Sequence, residues 1–249
     1  MTLQAVLFDL DGTLADTALD LGGALNALLE RHGFPQKQME DIRPVASHGA
    51  SGLILLGAGI SKEHPEHARW RQEYLAEYER CFDRDTVLFD GINELIRALD
   101  ERGLKWGIIS NKPKTFTDRL VPKLGFAVPP ATVVSGDTCA EAKPSTLPML
   151  HACQEIGVTP EHCLYVGDAE RDMQAAKNAG MVGVLANWGY IADTDTPSQW
   201  PQDYAIDAPL DFHLQGRAVH HLPHAEQRDQ RVGVVHRHHQ AHCRCEDAR

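Results

Sequence analysis

The stretch Val6-Leu7-Phe8-Asp9-Leu10-Asp11-Gly12-Thr13-Leu14 sets two carboxylates, two positions apart, between an apolar run and a glycine-marked turn. In a strand, positions i and i+2 point to the same side. A strand over Ala5–Leu10 therefore delivers Asp9 and Asp11 together at its carboxyl end. In open α/β sheets that end is where ligands bind. Two acids crowded there need a metal ion, a shared proton or both. An Asp-Gly pair alone marks many ordinary turns, but an apolar strand running into D-x-D-G-T is far less common.

Four more apolar, β-branched runs read as strands: 106–110, 132–135, 163–166 and 182–186. Helical patterns lie between them at 93–102, 114–124, 147–156 and 169–179, each followed by a glycine suited to a left-handed C-cap. This alternation predicts an α/β fold, a Rossmann-like parallel sheet covered on both faces. One segment breaks it. From Asp16 to Arg84 no strand is evident, while Leu21, Ala24, Leu25, Leu28 and Leu29 form one helical stripe and Trp70, Tyr74, Leu75 and Tyr78 another. The expected organisation is a catalytic core of residues 1–15 and 85–215 with a helical cap, 16–84, inserted after the first strand. The crossings near 15–18 and 84–90 are expected to act as hinges, so that the cap opens and closes over the site.

The formal net charge of −11 argues against a nucleic-acid partner. A small phosphorylated metabolite stays compatible, because a local cation and lysine reverse the sign inside a site. No apolar run is long enough to span a bilayer, so no membrane partner is expected. The six irregularly spaced cysteines and the lack of a leader pattern fit reduced thiols and a cytoplasmic location. The oligomeric state is left as monomer or homodimer. Residues 217–249 are a different kind of sequence: 6 Arg against 4 Asp/Glu, a net of +2 that leaves −13 on the rest, and 7 of the 14 His. The segment 216–249 reads as disordered or non-native, with transition-metal binding as a lesser alternative.

Three later motifs carry chemistry, and each has a plainer reading beside it. In Ile108-Ile109-Ser110-Asn111-Lys112-Pro113 a strand ends in a hydroxyl at a helix start. Ser110 and neighbouring N–H groups there suit phosphate oxygens, or Ser110 or Asn111 simply caps the helix. In Ala142-Lys143-Pro144 the lysine reaches into the site or lies in solvent. In Leu164-Tyr165-Val166-Gly167-Asp168-Ala169-Glu170-Arg171-Asp172 a strand ends in Gly-Asp with a second acid four residues on. Asp168 suits a metal shell, and Asp172 either supports it or compensates a helix dipole.

These four motifs, in this order and spacing over about residues 3–210, resemble the haloacid dehalogenase superfamily of phosphatases. The resemblance implies Asp9 as nucleophile, Asp11 as the acid and base, and Lys143 as a catalytic charge on the phosphoryl group. It implies Ser110 and Asn111 as phosphate-binding, Thr13 as orienting the acid pair beside the substrate, and Mg2+ held by Asp9, Asp11 (through its backbone carbonyl), Asp168 and Asp172. The loop Ser47-His48-Gly49-Ala50 is similar to the cap loop of phosphoglycolate phosphatases with His48 in place of Asn, which implies substrate contact by His48 and Gly49. An exposed capping histidine is the equal alternative. The activity implied is hydrolysis of a phosphomonoester, 2-phosphoglycolate first. The stretches 164–181 and 187–191 also look like N-acetylmuramic acid 6-phosphate phosphatases. A metal-free dehalogenase would need neither Asp11 nor the Asp168/Asp172 pair. A phosphomutase shares the core, and a non-catalytic binding protein would not need every position filled.

Overall fold

The computed structural model describes residues 2–212. In chain order it contains β1 (Ala5–Phe8), β2 (Ala15–Asp16), α1 (Ala18–Arg31), α2 (Met39–Ile42), α3 (Gly49–Ala58), α4 (His67–Tyr78), β3 (Val87–Leu88) and α5 (Ile92–Glu101). These are followed by β4 (Lys105–Ile109), α6 (Lys114–Leu120), β5 (Val133–Val134), α7 (Leu147–Ile156), β6 (Cys163–Gly167), α8 (Glu170–Ala179), β7 (Val182–Ala186) and β8 (Tyr204–Ile206). Six strands form one sheet in the order β5-β4-β1-β6-β7-β8, and every pairing in it is parallel. The α/β expectation holds.

Period-two alternation divides the core between the two faces of the sheet. Val6 and Phe8 of β1, Trp106 and Ile108 of β4, and Leu164 and Val166 of β6 pack into one apolar cluster with α1, α4 and α5. Ala5, Leu7, Ile109, Cys163 and Tyr165 face the other way, onto Met149, Ala152 and Cys153 of α7. Burial on both faces is what parallel strands require. It leaves their carboxyl ends as the place where polar side chains gather.

Several boundaries differ from the sequence expectation. β1 stops at Phe8 because the carbonyl of Leu10 accepts the N–H groups of Leu14 and Ala15 and folds the chain into a turn. The helix expected over 114–124 ends at Leu120. Pro122 has no N–H to continue it, and the chain tightens into a 3-10 turn at Val121–Lys123. β8 escapes the sequence reading altogether. The expected strand-free stretch also begins too early, since Ala15 and Asp16 pair antiparallel with Leu88 and Val87.

Between β2 and β3 the chain is helical. Leu21, Ala24, Leu25, Leu28 and Leu29 of α1 are buried, as are Trp70, Tyr74 and Tyr78 of α4. The two ends of this insertion are tied as well as paired. The fully buried Asp20 carboxylate accepts the N–H of Asp85 (3.0 Å), the N–H of Thr86 (3.0 Å) and the Thr86 hydroxyl (2.8 Å). Among the described residues no helix is long and apolar enough to cross a membrane. Cys81, Cys139, Cys153 and Cys163 are free thiols. The expectations for the segment 216–249 lie outside the described residues.

Candidate active site

Three parallel strands deliver polar residues at adjacent carboxyl ends. Asp9 follows β1, Ser110 follows β4, and Asp168 follows β6. Asp172 comes one turn into α8. Its Oδ2 accepts the N–H of Ala169 (3.1 Å) and so caps that helix. Its Oδ1 accepts from Lys143 Nζ (2.7 Å) and from the Tyr165 hydroxyl (3.3 Å). One oxygen of Asp172 thus serves the helix N-terminus, and the other turns to Lys143 and Tyr165.

Asp9, Asp168 and Asp172 are buried and offer oxygens within 4.8 Å of one another. Close glycines make room for them. Gly12 has φ +82°, and a Cβ there would lie 2.2 Å from Asp168 Oδ2. A Cβ on Gly189 would lie 2.1 Å from the Cβ of Asp168. Asp168 is held from three sides, by the Thr13 hydroxyl on Oδ1 (3.4 Å) and by the Ser47 hydroxyl (2.6 Å) and Tyr190 N–H (2.8 Å) on Oδ2.

The charge balance is tight. Lys143 Nζ sits 2.9 Å from Asp9 Oδ1 and also donates to the Ile109 carbonyl (2.8 Å) and the Tyr165 hydroxyl (2.7 Å). Arg171 adds a second cation 3.8 Å from Asp9 Oδ2. Burial raises the Asp9 carboxyl above its ordinary value despite Lys143. Burial, then repulsion from Asp9 and Asp172, pushes Asp168 up to about 7. Three buried carboxylates crowd hard oxygen donors around two cations, and the raised Asp9 and Asp168 show that these cations do not fully offset the burial and mutual repulsion. That donor set fits a divalent cation such as Mg2+ or Ca2+.

The other expected residues distribute as follows. The Asp11 carboxylate stands apart from the acid trio and accepts from Lys112 Nζ (2.8 Å), whose charge also lies 4.7 Å over the Tyr78 ring. Ser110 lines the same cavity as Asp9, and its hydroxyl accepts the N–H of Lys112 (3.1 Å). Two expectations are corrected. Thr13 is fully buried beneath Asp168 and bonds that acid, so it does not face substrate. The Asn111 amide is engaged with the backbone of Lys143, donating to its carbonyl and accepting its N–H (both 2.9 Å). Asn111 thus holds the lysine segment in place. His48 and Gly49 do line the cavity. His48 is exposed at the N-cap position of α3, without a capping side-chain hydrogen bond, and partial desolvation of its ring, then the charge of Arg171, lowers its pKa.

Four participants were missed. Lys112 and Arg171 lie inside the quoted motifs, but a charged residue beside a helix start is ordinarily a surface residue, and only the fold buries Lys112 and half-buries Arg171. Ser47 and Tyr190 lie inside stretches that resemble known phosphatases, but nothing local ties them to Asp168, which is 121 and 22 residues away. Above the acids the cavity measures about 690 Å3. Its base is formed by Asp9, Asp11, Ser110 and Lys143, and the helical insertion supplies much of the wall, including Leu21, His48, Arg71, Tyr74 and Tyr78.

Comparison with known proteins agrees with this geometry. A family model described as haloacid dehalogenase-like hydrolase matches residues 6–186. A phosphoglycolate phosphatase of Xanthomonas campestris pv. campestris is 39% identical over 209 residues, covering 83% of this chain and 93% of that protein. An N-acetylmuramic acid 6-phosphate phosphatase of Pseudomonas aeruginosa is 36% identical over 212 residues, covering 85% and 94%. Among solved structures, a protein described as a putative phosphoglycolate phosphatase from Lactobacillus delbrueckii subsp. bulgaricus superposes with a TM-score of 0.71 at 26% identity, covering 85% of this chain and 97% of that one. The order of the motifs, the acid trio at the strand ends and a match running from β1 through β7 have one reading: the chain belongs to the haloacid dehalogenase-like hydrolases.

Proposed function

We propose that the protein is a Mg2+-dependent phosphomonoesterase that works through an aspartyl-phosphate on Asp9, with 2-phosphoglycolate as substrate. The observation that carries this reading is the division of labour between Asp9, in contact with Lys143 and Arg171, and Asp11, held separately by Lys112. Asp9 Oδ attacks phosphorus and the bond to the leaving oxygen breaks. Asp11 gives that oxygen its proton. Asp11 then takes a proton from water, whose oxygen attacks phosphorus and releases phosphate from Asp9. Lys143, Arg171 and Ser110 hold the phosphoryl oxygens throughout. Asp9 and Asp168, with Asp172 behind them, would hold Mg2+, which supplies positive charge against the phosphoryl group.

In this reading residues 16–84 act as a cap over the core, and its Ser47–Asp168 contact marks the closed position. A metal-free dehalogenase has no use for Asp11 or for the Asp168/Asp172 pair, so that class is disfavoured. A small-metabolite substrate and free thiols at Cys81, Cys139, Cys153 and Cys163 support a cytoplasmic location. A second substrate, N-acetylmuramic acid 6-phosphate, is favoured by one observation: a cavity of about 690 Å3 is larger than a two-carbon phosphoester fills.

The test is phosphate release from both compounds with Mg2+ and with EDTA. Mg2+-dependent release from 2-phosphoglycolate supports the proposal, and release from the sugar alone transfers it to the second substrate. Absence of Mg2+-dependent release from either compound, and from an aryl phosphate, would overturn the phosphomonoesterase reading.

A further inference from the structure

The far wall of the cavity holds a cation with no counter-ion. Six arginines lie between β2 and β3, and five of them pair with carboxylates. Arg31 meets Glu77, Arg43 meets Asp16, Arg69 meets Glu66, Arg80 meets Glu77 and Arg84 meets Asp85. Arg71 lines the cavity and has no carboxylate partner among the described residues. Its neighbours on that rim include Lys62 and Glu63, and the Glu63 carboxylate already accepts the Ser61 hydroxyl (2.7 Å).

The helix itself measures how far Arg71 stands from the reacting end. Arg71, Tyr74, Leu75 and Tyr78 all line the cavity, and their spacing puts them along one face of α4. Tyr78 marks the reacting end, because its ring lies against Lys112 and, through it, Asp11. Arg71 comes seven residues earlier, about 10 Å away along the axis. Side chains on a helix lean toward its N-terminus, which carries the guanidinium outward from Tyr78. A group bound there is too far from Asp9 to belong to a two-carbon phosphoester, whose carboxylate carbon lies only about 4 Å from phosphorus by ordinary bond lengths.

We propose that Arg71 forms a distal anion subsite, through which the protein also takes phosphomonoesters whose carboxylate lies about 9 Å from phosphorus, the reach of an extended six-carbon acid. A guanidinium binds a carboxylate through two parallel N–H donors, so the subsite favours a carboxylate over a hydroxyl at that distance. Tyr74, Leu75 and Tyr78 provide the wall along which the carbon body lies. The inference rests on the phosphomonoesterase reading for its reaction and on Arg71 for its selectivity.

The experiment uses the full chain with Mg2+ and three probes. 6-Phosphogluconate and sorbitol 6-phosphate have the same carbon body and differ at the far end, carboxylate against hydroxyl. 2-Phosphoglycolate is the short acid. The wild type is expected to favour 6-phosphogluconate over sorbitol 6-phosphate by about tenfold in kcat/KM, the scale of one partly exposed charge-assisted contact. In Arg71→Gln that ratio should collapse toward one through KM, and Arg71→Lys should keep part of it. 2-Phosphoglycolate should show no comparable loss. No preference in the wild type, an unchanged ratio in Arg71→Gln, or an equal loss on 2-phosphoglycolate would each overturn the subsite. If none of the probes releases phosphate, the reading of 2-phosphoglycolate as substrate falls instead, and calorimetric titration of 6-phosphogluconate decides the subsite. Weaker binding by Arg71→Gln than by wild type supports it, and equal binding or none in both overturns it.

Discussion

Asp168, in the acid trio at the strand ends, and Arg71, on the helical wall of the cavity, are built in opposite ways. Asp168 takes hydrogen bonds from Thr13, Ser47 and Tyr190, and glycines at 12 and 189 leave its carboxylate the only space it has. Lys143, beside it, touches two carboxylates, a carbonyl and a phenol. Arg71 stands on a helix face with no carboxylate partner among the described residues. The strand ends are over-determined, so a change there breaks geometry or chemistry. Arg71 is under-determined, so a change at that position is expected to alter preference and leave the fold alone. Preorganised charge is what a reacting centre needs, because reorganising it during reaction would cost rate.

The largest expected effect is at Asp9. Asp9→Asn should lower phosphate release by at least about a thousandfold, as removal of an attacking group does, while circular dichroism keeps the native signature. Near-normal turnover would take the nucleophile away from the best-held acid and dissolve the contrast.

Gly12→Ala tests the same end by crowding it. An alanine there must adopt φ +82° and meets Asp168 at once. A stability loss of about 3 kcal/mol is expected from overpacking and backbone strain together, with turnover falling in parallel. Thermal denaturation checks it, and a melting temperature within a degree of wild type would show that the strand-end cluster is looser than its contacts imply.

The smallest effect should come from the insertion. Burial alone would raise the Asp16 carboxyl, but hydrogen bonds from Arg43 and Tyr190 outweigh it and hold the group below its ordinary value. A carboxyl depressed in the folded state contributes stability above its unfolded pKa and loses it as pH falls through the folded one. Arg43→Gln should therefore cost about 0.5 kcal/mol at pH 7, the scale of a partly exposed pair. The gap between variant and wild type should close below about pH 4 as Asp16 takes up its proton. A gap that persists in acid would mean that Arg43 stabilises by packing rather than by charge.

The sequence shows what repeats locally and hides what the fold brings together. β7 and α7 were legible to the residue because apolar alternation and a closing glycine bound them. Asp9, Asp168 and Asp172 were legible because each ends or follows an apolar strand. β8 was not, since Tyr204-Ala205-Ile206 is too short to alternate and follows a polar, proline-containing stretch. The β2–β3 pairing hides for the same reason, two residues to a strand. Thr13 and Asn111 were seen as site residues but given the wrong task, because a motif shows proximity and cannot show which way a side chain turns. Lys112 and Arg171 look like solvated charges until the neighbouring strands enclose them.

The position of β1 in the sheet has a consequence for how the chain is made. β1 pairs with β4 on one side and β6 on the other, with Ala5 opposite Lys105 and Cys163. Of the four interior strands, β1 thus waits longest after its own synthesis before both of its edges are flanked. At ordinary rates of about 5–20 residues per second, its second neighbour follows roughly ten to thirty seconds later. Through that interval an apolar segment with an open edge has only the nascent helices of the insertion for cover. Its aspartates trail directly behind it, so the nascent chain carries negative charge beside its stickiest stretch before either has found its place.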